Sequence, residues 1–308
     1  GAGGLTVPVS KAVANNNDLL EDDFNDATYE GARLGLKYVL NDEWDVLVQY
    51  SEQSLQSEGV FDYDPTVGDL EVKRYTPDSL DDEFSQTAWT VNGRLGDLDL
   101  IYTGAFLDRE VAANIDYTGY TNIGKFISGY QCEYLVGSYY NGLSSDTSTF
   151  YTFDPTIGGD PAVIECGTPA NAARIENDHT RWTHEARVAS NFAGPFNFQA
   201  GVYYEDFEIK HIGDFNYQAP IAAGFAGIDI NSSSTFSNSE ANARGRVIPD
   251  TQFRNDNTRT EEQTALFAEL TYQVTDNIAI TGAARYYDLD YGFTGYGAWR
   301  YGNRPLFV

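Results

Sequence analysis

No run of eighteen apolar residues occurs in this chain, which excludes a transmembrane helix but leaves membrane strands open, since those need only about ten alternating residues. Basic residues are scarce. Nineteen Lys and Arg stand against 46 Asp and Glu, a net charge of −27 with a pI near 4.2, and such a field repels a polyphosphate backbone, so nucleic acid is excluded as a partner. Methionine is absent, and Gly1-Ala2-Gly3-Gly4 shows neither the charged nor the apolar region of a leader, so a processed or partial chain is expected. Cysteine is confined to Cys132 and Cys166, with no CxxC or Cys/His ligand spacing, and no metal site is expected. A disulfide between the two is the expectation, worth about 3–4 kcal/mol in the chain-entropy model and requiring an oxidising compartment. Two free thiols are the alternative.

What is present is aromatic and alternating. With 42% apolar and 14% aromatic residues, 22 Tyr and 18 Phe among them, the 308-residue chain is expected to fold rather than to stay disordered. Two distant segments share one pattern, Leu36-Lys37-Tyr38-Val39-Leu40-Asn41-Asp42-Glu43-Trp44 and Leu270-Thr271-Tyr272-Gln273-Val274-Thr275-Asp276-Asn277-Ile278. In each an alternating stretch enters a short polar turn and another leaves it, as a tight β-hairpin is written. Two further hairpins turn around Gly96-Asp97 and Ala193-Gly194-Pro195. The reading is eight strands, near residues 28–40, 45–57, 82–95, 98–112, 180–192, 196–211, 259–274 and 277–290. Many exceed the usual five or six residues of a soluble strand and suit a tilted bilayer crossing.

Parity separates two faces. Phe196, Phe198, Ala200, Val202 and Tyr204 oppose Asn197, Gln199, Gly201, Tyr203 and Glu205, and Leu266, Ala268, Leu270, Tyr272 and Val274 oppose Phe267, Glu269, Thr271 and Gln273. A soluble sandwich also alternates, so the connections decide. Turns within hairpins take about two to five residues, whereas the links between hairpins take about 25, 65 and 45, rich in Asp, Gly, Ser, Asn and Tyr. Compact soluble domains rarely carry such links, while outer-membrane barrels have short periplasmic turns and long outside loops. The expected fold is therefore all-β, a portion of an antiparallel up-and-down transmembrane β-barrel occupying residues 1–308. Residues 113–178 are read as a long extracellular loop holding the disulfide. Tyr286, Tyr287 and Trp44 are placed for interfacial girdles, and the Gly- and aromatic-rich stretch from Tyr291 to Val308 is read as a loop.

The segment from Phe267 to Tyr286, FAELTYQVTDNIAITGAARY, resembles a recurring barrel hairpin of TonB-dependent outer-membrane receptors. So does His184-Glu185-Ala186-Arg187-Val188-Ala189-Ser190 with its Gly-Pro turn and Ala200-Gly201-Val202-Tyr203-Tyr204, and so does the acidic stretch Val60-Phe61-Asp62-Tyr63-Asp64-Pro65. The similar segments cover most of the strand-forming part of the chain. The resemblance implies a bacterial outer-membrane location, contact with outer-membrane lipid, uptake of a scarce small-molecule ligand (siderophore, cobalamin or saccharide), and energy supplied through the TonB complex. Members are barrels of about 22 strands around a plug. Here no plug, no TonB-interacting segment and no closing strand ending in an aromatic residue is legible, so the chain reads as the middle of such a wall, with the TonB complex reached through a plug absent from it.

No enzyme motif is present. GxSxG, GxGxxG, a P-loop and HExxH are missing, His184-Glu185 lacks a second histidine, and neither a catalytic residue nor a cofactor is expected. The three histidines, His179 and His184 flanking the fifth strand and His211 ending the sixth, lack ligand spacing and read as solvated or interfacial. Acids at Glu21, Asp22, Asp23, Asp26, Asp62, Asp64 and Asp69 read as solvated loops rather than a calcium site. By strand parity Arg33, Lys37, Arg94, Arg187 and Arg285 leave the apolar face for the lumen, where charge is cheap. They either meet an anionic ligand or plug, or pair with acids such as Glu185, Glu205 and Glu269. The loop tyrosines Tyr117, Tyr120, Tyr130, Tyr134, Tyr139 and Tyr140 are the candidates for ligand contact, since Tyr joins stacking area to a hydroxyl; self-packing of the loops would use them too. Two other readings stay open, a passive porin or small structural barrel and a secreted glycan-binding β-sandwich.

Overall fold

The computed structural model describes residues 9–11, 15–121, 132–133, 164–166, 170–217 and 251–299. Eight long strands make one sheet: β1 Ala27–Val39, β2 Trp44–Glu58, β3 Ser79–Leu95, β4 Leu98–Asp116, β5 Asn171–Ser190, β6 Phe196–Tyr217, β7 Thr251–Thr275 and β8 Ile278–Trp299. Each pairs antiparallel with its sequence neighbour, in the spatial order β8-β7-β6-β5-β4-β3-β2-β1. This is an up-and-down meander, the wall of a partial β-barrel. A small separate sheet pairs Val9–Lys11 with Ile164–Cys166 in parallel and Ile164–Cys166 with Cys132–Glu133 in antiparallel. Among the described residues no helix is long and apolar enough to cross a membrane, which says nothing of strands.

The tight ends are closed by local polar chemistry. The Asn41 side-chain oxygen accepts from the backbone N–H groups of Glu43 and Trp44 at 2.8 and 2.9 Å. Gly96 takes the left-handed conformation, φ +63°, which a two-residue turn demands. Asn197 closes the 191–195 turn by accepting from Phe192 N–H at 2.8 Å. The far ends are joined by residues 59–78, 117–170 and 218–250.

Every expected strand is present, and most run further than expected at the loop end: β4 continues to Asp116, β5 begins at Asn171 and β7 at Thr251. The added pieces are rich in Asn, Asp and Thr, residues that read as loop in isolation but here complete a ladder on a preformed neighbour. The stretch from Tyr291, expected as a loop, is a correction of the same kind, because β8 carries it as strand to Trp299, paired residue by residue with β7. His179 and His211 lie inside strands for that reason, and His184 lies well within β5.

The register assigns each residue to a face, since directly paired residues point the same way. One face, from the turns to about halfway up the wall, carries Leu34, Leu36 and Tyr38 on β1, Val46 and Val48 on β2, Leu98 and Leu100 on β4, Val188 and Ala186 on β5, and Leu266, Leu270 and Ile280 on β7 and β8. That zone contains no Asp, Glu, Lys or Arg on any of the eight strands. At the same height the opposite face carries Lys37, Asp45, Arg94, Asp99, Glu185, Arg187, Glu269 and Arg285. Further up, the first face changes character. Asp288 comes first, Asp206, Glu262 and Asp290 share the next register row, Glu52, Asp108 and Glu208 the one beyond it, and Glu83, Glu110 and Asp178 the one after that.

Neither face is covered by a second layer of described residues. Buried apolar side chains among them are only Ala170, Ala173 and Ala265, while Leu34 is 71% and Ile280 63% exposed. A β-sandwich places its apolar face against a second sheet, and here one sheet holds all eight strands.

Candidate functional site

The predicted cations stand on the polar face, as parity requires. Arg94 Nε donates to Asp99 Oδ1 at 2.8 Å, Lys37 pairs with Asp45 at 3.3 Å and Arg187 with Glu185 at 3.8 Å. Arg285 donates to Gln263 at 3.1 Å and lies over the Tyr203 ring at 5.3 Å. Arg187 and Arg285 fall in one register row, separated by Gly201 and Phe267, so three strand spacings keep them about 14 Å apart. Residues not singled out from the sequence complete this face: Arg181 lies 4.2 Å over the Phe207 ring and 4.0 Å from Glu205, which also accepts from Tyr203 Oη at 2.5 Å. Arg109 holds Asp82 through two hydrogen bonds at 2.7 and 2.5 Å.

Of the tyrosines expected to touch ligand, Tyr117 packs edge-on against Phe215 with ring centres 5.1 Å apart. Tyr120 lies in the short helix Thr118–Thr121. Tyr130, Tyr134, Tyr139 and Tyr140 are outside the described residues. The backbone of Cys132 is paired directly opposite Cys166, and a directly opposed antiparallel pair sets the two Cα atoms about 4.5–5.5 Å apart, inside the span of a disulfide.

The link 59–78 is an organised piece. Asp64 accepts from Thr66 N–H and Oγ1 at 2.8 and 2.6 Å, and Arg74 reaches both Asp62 and Asp78 at 3.2 Å, so two of the acids considered for calcium hold the loop's own turns. Its end is latched to β4 by a buried carboxylate. Asp116 accepts from the N–H groups of Tyr75, of Thr76 at 3.0 Å and of Thr118 at 2.8 Å, while Asp116 N–H donates to Asp78 at 2.8 Å. Burial raises the Asp78 carboxyl above the ordinary carboxylate range, the Asp116 hydrogen bond and Arg74 opposing the rise, Asp116 and Asp62 adding to it.

Where the apolar zone meets the first of the acids lies a shelf of rings. Trp182 packs on Phe106 at 4.4 Å, His184 is stacked between Trp182 and Tyr102 at 6.2 Å from each, Trp89 lies 5.9 Å from His184, and Tyr204 lies 6.3 Å from it. Tyr102 Oη and His184 Nδ1 are hydrogen-bonded at 2.9 Å. Gly104 makes this possible: it faces Trp89 on one side and His184 on the other, and a Cβ there would sit 2.4 Å from the Trp89 ring. The expected girdle residues divide. Tyr286 is on the apolar face at shelf height, Tyr287 on the polar face, and Trp44 covers Gly93 near the turns. Phe106 with Asp108 and Tyr204 with Asp206, each pair two residues apart on one strand face, were the signal in the sequence for the shelf.

No family model and no curated protein matches this sequence. Among solved structures the chain is similar to the ferric yersiniabactin uptake receptor FyuA from Yersinia pestis, with a TM-score of 0.55 and 10% identity over 89% of this chain. The matched part is 31% of that receptor's length. At this identity the likeness is one of fold, that of a stretch of β-barrel wall.

Proposed function

We propose that this chain is part of the wall of a TonB-dependent outer-membrane receptor that takes up a scarce ligand, a siderophore, cobalamin or a saccharide. The observation that carries the reading is the separation of charge at one height: none on the apolar face of all eight strands, paired ions on the other. Only hydrocarbon outside and a polar lumen inside satisfy both faces of a single sheet. From the turns to the ring shelf each strand takes about nine residues, which at roughly 3.3 Å each and a tilt of about 40° spans roughly 20–23 Å, close to the apolar band of about 25 Å in outer-membrane barrels. The ring shelf then lies at the outer interface and the long links outside the cell. The outer edges of β1 and β8 carry no partner strand among the described residues, and a membrane sheet must close, so the reading requires further strands on both sides. The likeness to FyuA supports a receptor. The role is transport and not catalysis, the TonB complex is the energy partner, and the lumen charges and loop tyrosines are where ligand and plug would touch.

Cell fractionation followed by uptake tests this. The protein is expected in the outer-membrane fraction, running faster on gels before heating than after, and uptake of its ligand is expected to stop when the proton-motive force is collapsed. Uptake that persists without that force would favour a passive porin; a protein that stays in the soluble fraction would sink the barrel.

A further inference from the structure

The outward face has more to say about what it touches. Three cations stand on it among the described residues, Arg174, Lys210 and Arg254, and each is held by a carboxylate, by Glu176, Glu208 and Asp214 at 2.6, 2.9 and 2.6 Å. All three lie toward the loop ends of their strands, beyond the ring shelf. Phosphate-bearing headgroups are recognised by Arg and Lys, and none is present at shelf height. The polar partners there are ring donors and carboxylate acceptors. Asp206 is paired directly opposite Trp182, and Asp108 stands one alternating step beyond Phe106. Trp182 and Tyr102 remain 43% and 38% exposed on this face.

Resting on the barrel reading above, we propose that the shelf formed by Trp89, Tyr102, Phe106, Trp182, His184 and Tyr204 binds the sugar headgroup of an outer-leaflet glycolipid. Ring faces offer a sugar's apolar face a flat surface, and the neighbouring carboxylates accept from its hydroxyls, while the same carboxylates repel a phosphate. Continuity with the apolar zone below gives the acyl chains their place beside Leu100, Ala186 and Val202. Gly104 keeps the rings joined across four strands, so the contact surface is continuous rather than a set of separate anchors.

The test uses the protein purified from membranes in detergent and offered equimolar digalactosyl diacylglycerol and phosphatidylglycerol of matched chains, with retained lipid read by native mass spectrometry. The sugar lipid is expected to be retained about tenfold over the anionic one, and the W89L/W182L double variant, provided it keeps its heat-modifiable mobility, is expected to lose that preference. Should that double variant fail to fold, Trp182→Phe and Tyr102→Phe are expected to weaken the preference in part. Equal or greater retention of phosphatidylglycerol, or a preference unchanged in every variant, would overturn the proposal. So would a second protein copy bound at this face and released by the same substitutions. A protein that enters bilayers but shows no sugar preference fails only this inference; one that never enters them fails the barrel reading as well.

Discussion

At Gly104 the absence of a side chain lets two aromatic residues on different strands meet. Trp89 and His184 both pair with it, and a Cβ would sit 2.4 Å from the indole. Leucine at 104 is expected to split the shelf and to destabilise by about 1–3 kcal/mol, the usual cost of overpacking. A lowered urea midpoint of the folded protein in micelles, together with a red shift of tryptophan emission, checks it; an unchanged midpoint would mean that the rings do not depend on that gap. Lumen residues differ in kind, because Arg109, Arg181 and Arg285 each already have a partner, and single substitutions there change a network rather than expose an idle charge.

At the scale of an element, the 59–78 link behaves as a folded unit because one carboxylate ends it. Removing Asp116 leaves three backbone donors without their acceptor, each worth about 1–3 kcal/mol when buried. D116A is therefore expected to open the link to trypsin at Lys73 and Arg74 while the wall stays intact. Asp78 adds a pH dependence of defined sign. Its carboxyl is raised in the folded state, so the folded latch binds its proton more tightly than the open one; that stabilisation is complete below about pH 4 and is lost as pH rises through the raised value. Nicking of the wild-type link is expected to increase from mildly acidic to neutral pH, and in D78N to lose this trend. The opposition of Cys132 and Cys166 yields another expectation at this scale. Under non-reducing conditions neither cysteine should react with a maleimide, and both should after reduction; labelling beforehand would leave them as free thiols.

For the whole molecule the proposed reading turns on which face meets hydrocarbon. Val188 sits near the middle of the apolar zone, opposite Leu100 and Ala200, while Gln199 points to the lumen opposite Ala189 and Glu269. Val188→Arg is expected to cost about 2–4 kcal/mol, as arginine does at the bilayer midplane of a barrel, and Gln199→Arg close to nothing. Folding yields into bilayers measured for the pair check the orientation, and the reverse order of costs would turn the wall inside out. The strands pass about ten residues beyond the shelf, and there the outer face turns acidic while the inner one mixes Phe84, Leu107, Phe207 and Ile209 with Asp82, Arg109, Arg259 and Glu261. On the proposed barrel reading this part of the wall stands proud of the membrane as an acidic rim, of the same sign as the chain's net charge of −27.

Strand number, hairpin order and the two faces were legible in the sequence, because alternation has period two and a turn needs its own residues. Leu266, Leu270 and Tyr272 against Glu269, Thr271 and Gln273 determined the orientation of β7 without any neighbour. The charge balance set the expectation that no nucleic acid is bound. Only the tertiary structure decided what depends on pairing: that 251–258 and 291–299 complete a ladder although their residues favour loops, that Trp89 and His184 meet over Gly104 from strands about a hundred residues apart, and that Asp116 closes a loop some forty residues before it. The physical reason is common to these cases. A residue's face is set by its own parity, whereas its partner is set by a register that only the assembled strands possess.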